Sequence, residues 1–220
     1  MKPMDARHLA SAEEARRSIE RGGHDPAAFR AALLAVPAGE REGWVDRVLG
    51  IDDDDVPGDG PALPPGGVPY LPCSVDVLLR IVDETPVRST DVFIDVGAGA
   101  GRAIALIHLL TGAGAIGLEI QPDLVRAAHR LTDRVGLSRV RCVEGDAATN
   151  AAFMVVGSVF FFNCPFSGAR LTKVLDDLES IARTRPLSVC CVLLPLPPRS
   201  WLTREPGPEG ELEIYRAGVI

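Results

Sequence analysis

Residues 92–120 read V-F-I-D-V-G-A-G-A-G-R-A-I-A-L-I-H-L-L-T-G-A-G-A-I-G-L-E-I. The pattern predicts a strand, a glycine-rich loop, a helix and a second strand. Val92, Phe93, Ile94 and Val96 make a short run of β-branched and aromatic residues, apolar on both sides, as in a strand buried between two helical layers. Asp95 is its polar exception, near the carboxyl end. Gly97, Gly99 and Gly101 follow, and residues 103–110 give an apolar helix that Gly112 can terminate. Residues 115–120 form a second buried strand carrying Glu119 near its end. In a β-α-β crossover both carboxylates and the glycine loop fall at the carboxyl edge of a parallel sheet, where open α/β sheets bind ligands.

What the loop lacks narrows the ligand. A dinucleotide fingerprint, G-x-G-x-x-G, needs a third glycine for close helix–strand packing, but Arg102 stands three positions after Gly99. A phosphate-binding G-K-[ST] loop is absent, and the only lysines are Lys2 and Lys173. The pattern present is D-x-G-x-G-x-G. Asp95 beside a pyrophosphate would repel it, whereas beside a cationic, phosphate-free ligand it is favourable. S-adenosylmethionine, with its sulfonium, ammonium and adenosine, fits that description.

From about Tyr70 to the C-terminus the chain resembles the class I S-adenosylmethionine-dependent methyltransferases. The resemblance implies that the loop Gly97, Gly99, Gly101 passes under the methionine part of the cofactor. It implies that Glu119, with Ile120 beside it, takes the ribose hydroxyls. It also implies that Asp146, in V-R-C-V-E-G-D-A with Ala147 next to it, accepts from the adenine amino group. A carboxylate has two acceptor oxygens and suits a vicinal diol. Each residue has a plainer alternative: a glycine-bearing turn, a solvated strand end at Glu119, an ordinary turn at Asp146.

Length and composition bound the rest. The chain has 220 residues, a net charge of −7 and 46% apolar residues. That accommodates one full α/β domain with a small extension. The acidic balance argues against a basic nucleic-acid face. Cys73, Cys142, Cys164, Cys190 and Cys191 have no C-x-x-C spacing and lie mostly in apolar runs, so they read as reduced core thiols. The four histidines are scattered and predict no metal site. No stretch has the length and apolarity of a membrane span, and the N-terminus lacks a signal-peptide core. A soluble, cytoplasmic protein is expected.

Along the chain, Ser11 and Glu14 have capping-box spacing and predict a helix that Gly22 and Gly23 would stop. Asp25 and Pro26 cap a second helix carrying Phe29, Leu33 and Leu34. A third spans residues 40–49, with Trp44, Val45 and Val48 on one side. Residues 1–50 thus form a helical extension that packs on the main domain, on a second subunit in a homo-oligomer, or over the cleft. Residues 51–72, rich in proline, glycine and aspartate, read as a linker. Its acidic run, residues 52–55, reads as a solvated break rather than a metal site. Residues 73–220 form the cofactor-binding domain. Ser74 caps a helix over 75–84, residues 122–135 form another closed by Gly136, and strands are predicted at 140–144, 157–163 and 187–194. Ser167 caps a helix over 169–182. Alternation in 201–204 and 211–216 around P-G-P-E-G signals an antiparallel hairpin. The fold class expected is therefore α/β: a Rossmann-like, doubly wound, mostly parallel seven-stranded sheet with a C-terminal antiparallel hairpin.

The acceptor end is expected after the fourth strand, at Asn163-Cys164-Pro165-Phe166. This loop resembles the N-P-P-Y/F loop of methyltransferases acting on amino nitrogens, which implies that Asn163 accepts hydrogen bonds from the amine and Phe166 stacks on its planar group. Cys164 in place of the first proline departs from that pattern and removes some of its rigidity. The same region, with Tyr70 to Ser74, is also similar to seven-strand lysine methyltransferases that modify histones, whose basic surfaces this acidic chain does not share. Tyr70 is expected either as a lid residue against the cofactor or as a packing aromatic. The functional expectation is an S-adenosylmethionine-dependent methyltransferase acting on a nitrogen of a protein or small molecule. The alternatives are an NAD-dependent oxidoreductase or a catalytically silent binding module of the same fold.

Overall fold

The computed structural model describes residues 4–52, 57, 63, 65–207 and 210–218. Of the acidic run read as a solvated break, residues 53–55 lie outside the described residues, as do residues 208–209 of the hairpin turn. Seven strands form one sheet in the order β3-β2-β1-β4-β5-β7-β6. The strands are β1 (Val92–Val96), β2 (Gly114–Glu119), β3 (Val140–Glu144), β4 (Val159–Asn163), β5 (Leu187–Val192), β6 (Thr203–Arg204) and β7 (Leu212–Ala217). β1 to β5 pair in parallel, and β7 runs antiparallel to both β5 and β6. The strand order reverses between β1 and β4, so a crevice opens at their carboxyl ends.

Successive side chains alternate faces, and each face has its own helical layer. Phe93, Phe161 and Cys190 point into a core shared with α4 (Val75–Glu84), α5 (Arg102–Thr111) and α6 (Pro122–Val135). Phe93 stacks on Phe161 with ring centroids 5.8 Å apart. Ile94, Phe160, Phe162 and Cys191 point the other way, against α8 (Gly168–Ala182) and the end of α7 (Ala151–Met154). That short α7 was not anticipated, because four residues carry no periodicity. Between β5 and β6 no helix forms, in line with the prolines at 195, 197 and 198.

The expected stop and start signals hold at several ends. Gly112 and Gly136 take the left-handed conformation that ends α5 and α6, and the Ser74 hydroxyl accepts from the Val77 N–H at the start of α4. Two signals were misread. The first helix, α1 (Ala6–Glu20), begins earlier than Ser11, because the Asp5 carboxylate accepts from the Arg7 N–H and caps it; a short acidic side chain at that position outcompetes the capping box embedded further on. Ser167 stands at the N-cap of α8 but makes no side-chain cap bond.

Helices α1, α2 (Pro26–Leu34) and α3 (Ala38–Leu49) pack on the α4–α6 side of the sheet. Phe29, Leu33, Trp44, Val45, Val48 and Leu49 are buried in the same core cluster as Leu78, Ile104 and Val135. Glu40 fastens α1 to α3, accepting from the Asp5 N–H at 3.1 Å and meeting the His8 ring at 2.7 Å. Of the three placements open from sequence, packing on the main domain is the one observed.

Candidate functional site

Gly97, Gly99 and Gly101 all have left-handed φ values, of 91°, 55° and 81°, which a side chain would strain. The loop folds back on β2: the Gly97 and Ala98 N–H groups both donate to the Leu118 carbonyl. Gly99 N–H donates to Glu119 Oε2 and Gln121 N–H to Glu119 Oε1, each at 2.8 Å. Two backbone donors therefore fix the Glu119 carboxylate, and each oxygen keeps acceptor capacity. Space along the loop is tight. A Cβ on Gly97 would come within 2.5 Å of Pro165 Cβ, one on Gly99 within 2.0 Å of the Tyr70 ring, and one on Gly101 within 2.8 Å of Ala128 Cβ.

Asp95 lies beneath this loop, only 2% exposed, and its Oδ1 has no hydrogen-bond partner among the described residues. Burial, reinforced by the nearby Glu119 carboxylate, raises its pKa from 3.8 to about 8. The site thus holds a desolvated acid that a cation would stabilise in its charged form.

An open cavity with about 600 Å³ of empty volume, mouth included, lies at the carboxyl edge of β1, β2 and β4. Its β2 and β3 side presents Glu119, Ile120, Asp146 and Ala147, and the opposite side presents Gly97, Asn163, Phe166 and Tyr70. Eight of the eleven residues picked out from sequence therefore meet on one cavity. Asp95, Gly99 and Gly101 do not line it. Asp95 is sealed below the loop, Gly101 is pressed against α6, and Gly99 is covered by the Tyr70 ring.

The covering segment, residues 66–73, is a strap across the carboxyl end of β4. Gly67 bridges Phe166, Val68 N–H donates to the Pro165 carbonyl at 3.0 Å, and Ser167 N–H donates to the Gly66 carbonyl at 3.1 Å. Tyr70 packs against Ala100, Leu124 and Ala127, its phenol receives the Ala100 N–H, and burial pushes its pKa up to about 12. Here it is a packing aromatic as well as a cavity wall.

Two of the expected ligand-binding side chains also have partners within the protein. Asn163 was read as accepting hydrogen bonds from the methyl acceptor. Its Nδ2 donates to the Leu71 carbonyl at 2.7 Å, anchoring the strap; a carbonyl can only accept, so the amide orientation is fixed, and Oδ1 stays available for a donor. Asp146 is the residue that the resemblance gives to the adenine amino group. Its Oδ1 accepts from the Ala148 N–H and from the Arg170 guanidinium, leaving Oδ2 for a ligand. Arg170 was missed by sequence reasoning. It lines the cavity with its guanidinium 5.5 Å from the Phe166 ring centroid, and nothing but its place in the first turn of α8 could have marked it.

Arg102, which broke the dinucleotide fingerprint, also has a role that the spacing did not reveal. Its buried guanidinium donates to Asp46 Oδ1 and Glu42 Oε2, each at 2.7 Å, to the Glu42 carbonyl at 3.3 Å and to the Cys73 carbonyl at 3.2 Å. The residue opening α5 thereby holds α3 and the end of the strap together.

Among the described residues no cluster of three or more His, Cys, Asp or Glu side chains could hold a metal, and no helix is long and apolar enough to cross a membrane.

No protein-family model matches the chain, and no curated protein matches it in sequence. Solved structures do match in fold. An RNA methyltransferase from Salinibacter ruber, crystallised with S-adenosyl-L-homocysteine, is 22% identical, with 68% of this chain and 94% of that one aligned at a TM-score of 0.52. The Escherichia coli protein yhhF, provisionally named a methyltransferase, is 18% identical over 70% of this chain and 91% of its own, with a TM-score of 0.55. With the observed strand order and the C-terminal antiparallel pair, these matches establish that the chain has the seven-stranded, Rossmann-like fold of the class I S-adenosylmethionine-dependent methyltransferases.

Proposed function

We propose that this protein is an S-adenosylmethionine-dependent methyltransferase directed at a nitrogen of a protein or small-molecule acceptor. The observation that carries the reading is the pairing of Asp95, a buried carboxylate with an unpartnered oxygen, with Glu119, a carboxylate oriented by two backbone donors beside an open cavity. The first suits a cationic ligand and the second a diol, and S-adenosylmethionine carries both. Asp146 Oδ2 and the apolar surfaces of Ile120, Ala147 and Phe166 would receive the adenine. For the methionine part to lie along the glycine loop, the Tyr70 ring has to leave Gly99. A cytoplasmic setting accords with five unpaired cysteines.

When bound, the cofactor would supply an electrophilic methyl group to the lone pair of a neutral acceptor nitrogen, the carbon–sulfur pair returning to sulfur, and the methylated product would give up its proton to bulk water on leaving the cleft. The protein has only to align the acceptor with that methyl and exclude water from the cleft. Strap and β4 loop would do both from one side of the cavity, whose described lining residues include no histidine or lysine.

Isothermal titration with S-adenosylmethionine, S-adenosylhomocysteine and NAD tests the reading. Binding of the first two and not the third is expected. Binding of NAD alone would replace it with a nicotinamide-dependent activity. Transfer of labelled methyl to a small amine or a protein then separates an enzyme from a binding module that has kept the fold.

A further inference from the structure

We propose that Arg170 is the positioning residue of a purine pocket: it holds Asp146 so that Oδ2 meets the 6-amino group of an adenine ring, and thereby sets a preference for 6-amino over 6-oxo purines. The inference rests on the methyl-transfer reading of the cavity and adds to it the residue that makes the nucleoside end selective.

Among the described residues, the charged side chains lining the cavity are Glu119, Asp146 and Arg170. The backbone alone fixes Glu119, since Gly99 N–H and Gln121 N–H take one oxygen each. Asp146 is held differently. Its backbone donor is the Ala148 N–H, 2.9 Å from Oδ1, and a single such bond leaves a carboxylate free to turn, because its terminal torsion is broad. The Arg170 guanidinium donates to the same Oδ1. Two donors converging on one oxygen hold the group, and Oδ2 is left as the acceptor that Asp146 offers a ligand.

Arg170 is itself anchored. It stands in the first turn of α8 with its guanidinium 5.5 Å from the centroid of the buried Phe166 ring, within the range of a cation–π contact. Gly67 of the strap in turn bridges Phe166. One side chain thus joins the β4 loop, which carries Phe166, to the loop after β3, which carries Asp146. Other ion pairs on α8 are unlike it. Lys173–Asp177 and Arg183–Glu179 are spaced i,i+4 with their cations 54% and 67% exposed, whereas Arg170 and Asp146 are 20% and 23% exposed. Pairs of the first kind contribute little to stability. A partly desolvated pair on a cavity wall, tying two loops together, is placed to fix a ligand-binding group.

Selectivity follows from the acceptor. A carboxylate oxygen only accepts, so it takes the adenine amino group and meets a 6-oxo group as acceptor against acceptor. A pocket built on such a hydrogen bond rejects the analogue that lacks the donor. The rejection holds only while the carboxylate stays in place, because a loose one can turn to the N1–H that a 6-oxo purine carries next to its oxygen.

The test is calorimetric titration of adenosine, inosine, S-adenosylhomocysteine and S-inosylhomocysteine into the whole chain and into Arg170→Met, which keeps an unbranched apolar stem. The unsubstituted protein should prefer the amino member of each pair. Arg170→Met should weaken that member roughly tenfold or more and change the oxo member far less, so that the preference falls. In an Asp146→Asn background Arg170→Met should have little further effect, as expected where one residue acts through another. Should Arg170→Met not fold, Arg170→Lys, which keeps a cation without the planar fork, is read in the same way, with a smaller fall in preference. Equal losses for amino and oxo ligands, an unchanged preference, additive effects of the Arg170 and Asp146 substitutions, or no binding by any of the four ligands overturns the proposal. S-Adenosylhomocysteine binding no tighter than adenosine would count against the methyl-transfer reading alone, and the adenosine–inosine comparison would still decide the role of Arg170.

Discussion

Asp95 is the residue at which chemistry and stability pull in opposite directions. Its pKa is raised from 3.8 to about 8 by burial and by Glu119, so the group favours the folded state in its protonated form. That stability is fully present below about pH 4 and is lost as pH rises through about 8. A cationic ligand reverses the preference, because the charged carboxylate gains a partner. Cofactor affinity should therefore rise from pH 6 to pH 8 with release of a proton on binding, visible as a buffer-dependent calorimetric enthalpy. Asp95→Asn should flatten that dependence and weaken binding, yet leave the melting temperature at pH 8.5 no lower than the parent's. A pH-dependence that survives in Asp95→Asn would show that another group carries it. Glu119→Ala makes a second prediction: roughly a ten- to hundredfold loss of cofactor affinity, from one charged hydrogen-bonding group at about 1.5 to 3 kcal/mol. An unchanged dissociation constant removes Glu119 from the site. Both carboxylates were legible in the sequence because each breaks an apolar run at a strand end. Their surroundings were not, since the missing partner of Asp95 Oδ1 and the two N–H donors on Glu119 depend on how the loop folds back over β2.

At the scale of elements, the strap shows what pattern reading can and cannot reach. Its composition was rightly read as irregular, with Gly67 making an isolated bridge rather than a strand. Nothing in a proline- and glycine-rich stretch says where it lies, because it has no periodicity to orient it. Two distant side chains fix it: Asn163 at the Leu71 carbonyl and Arg102 at the Cys73 carbonyl. Both had been singled out in the sequence, Asn163 as an acceptor ligand and Arg102 merely as a missing glycine. Arg102→Met would take the guanidinium away from Asp46 and from Glu42, which keeps the Val75 N–H, and both carboxylates reach water, so a cost of about 2 kcal/mol is expected rather than the larger penalty of a fully buried pair. It should also speed hydrogen exchange at the Val68 N–H and weaken cofactor binding severalfold. Asn163→Ala should produce the same exchange signature with a smaller loss of stability. Trp201→Phe serves as the control, because it loosens the core on the α8 face without touching Arg102, Glu42, Asp46 or Asn163, and it should not alter exchange at Val68. If the control and the two anchor variants behave alike, the strap responds to global stability and not to its anchors.

For the whole molecule, the composition change near residue 50 separates stretches of sequence whose side chains share a core. Trp44 is fully buried with Leu78, Ile104 and Val135 on the α4–α6 face of the sheet, and Trp201 is buried with Phe162, Leu175 and Tyr215 on the α8 face. The amphipathic stripes of the first three helices were visible in the sequence, but the surface they cover was not, because a stripe specifies that a face is buried and not against what. The two tryptophans now provide a probe on each side of the sheet. In Trp201→Phe the remaining fluorescence reports the layer containing α1–α3, and in Trp44→Phe it reports the layer containing α8. If the shared core makes the N-terminal helices part of one cooperative unit, the fluorescence and far-ultraviolet circular dichroism transitions should coincide within each variant in a urea titration. Each variant should lose some stability from imperfect filling of a site shaped for indole, at an order of 1 to 3 kcal/mol. The midpoint would then shift while the two probes stay together. An earlier fluorescence transition in Trp201→Phe, with the dichroism following later, would mean that α1–α3 come away first. Arg102 would then lose the hold of Glu42 and Asp46 on its guanidinium, leaving the Cys73 carbonyl of the strap on a less well fixed donor at the denaturant concentrations in between, and cofactor affinity measured there should fall with the first transition.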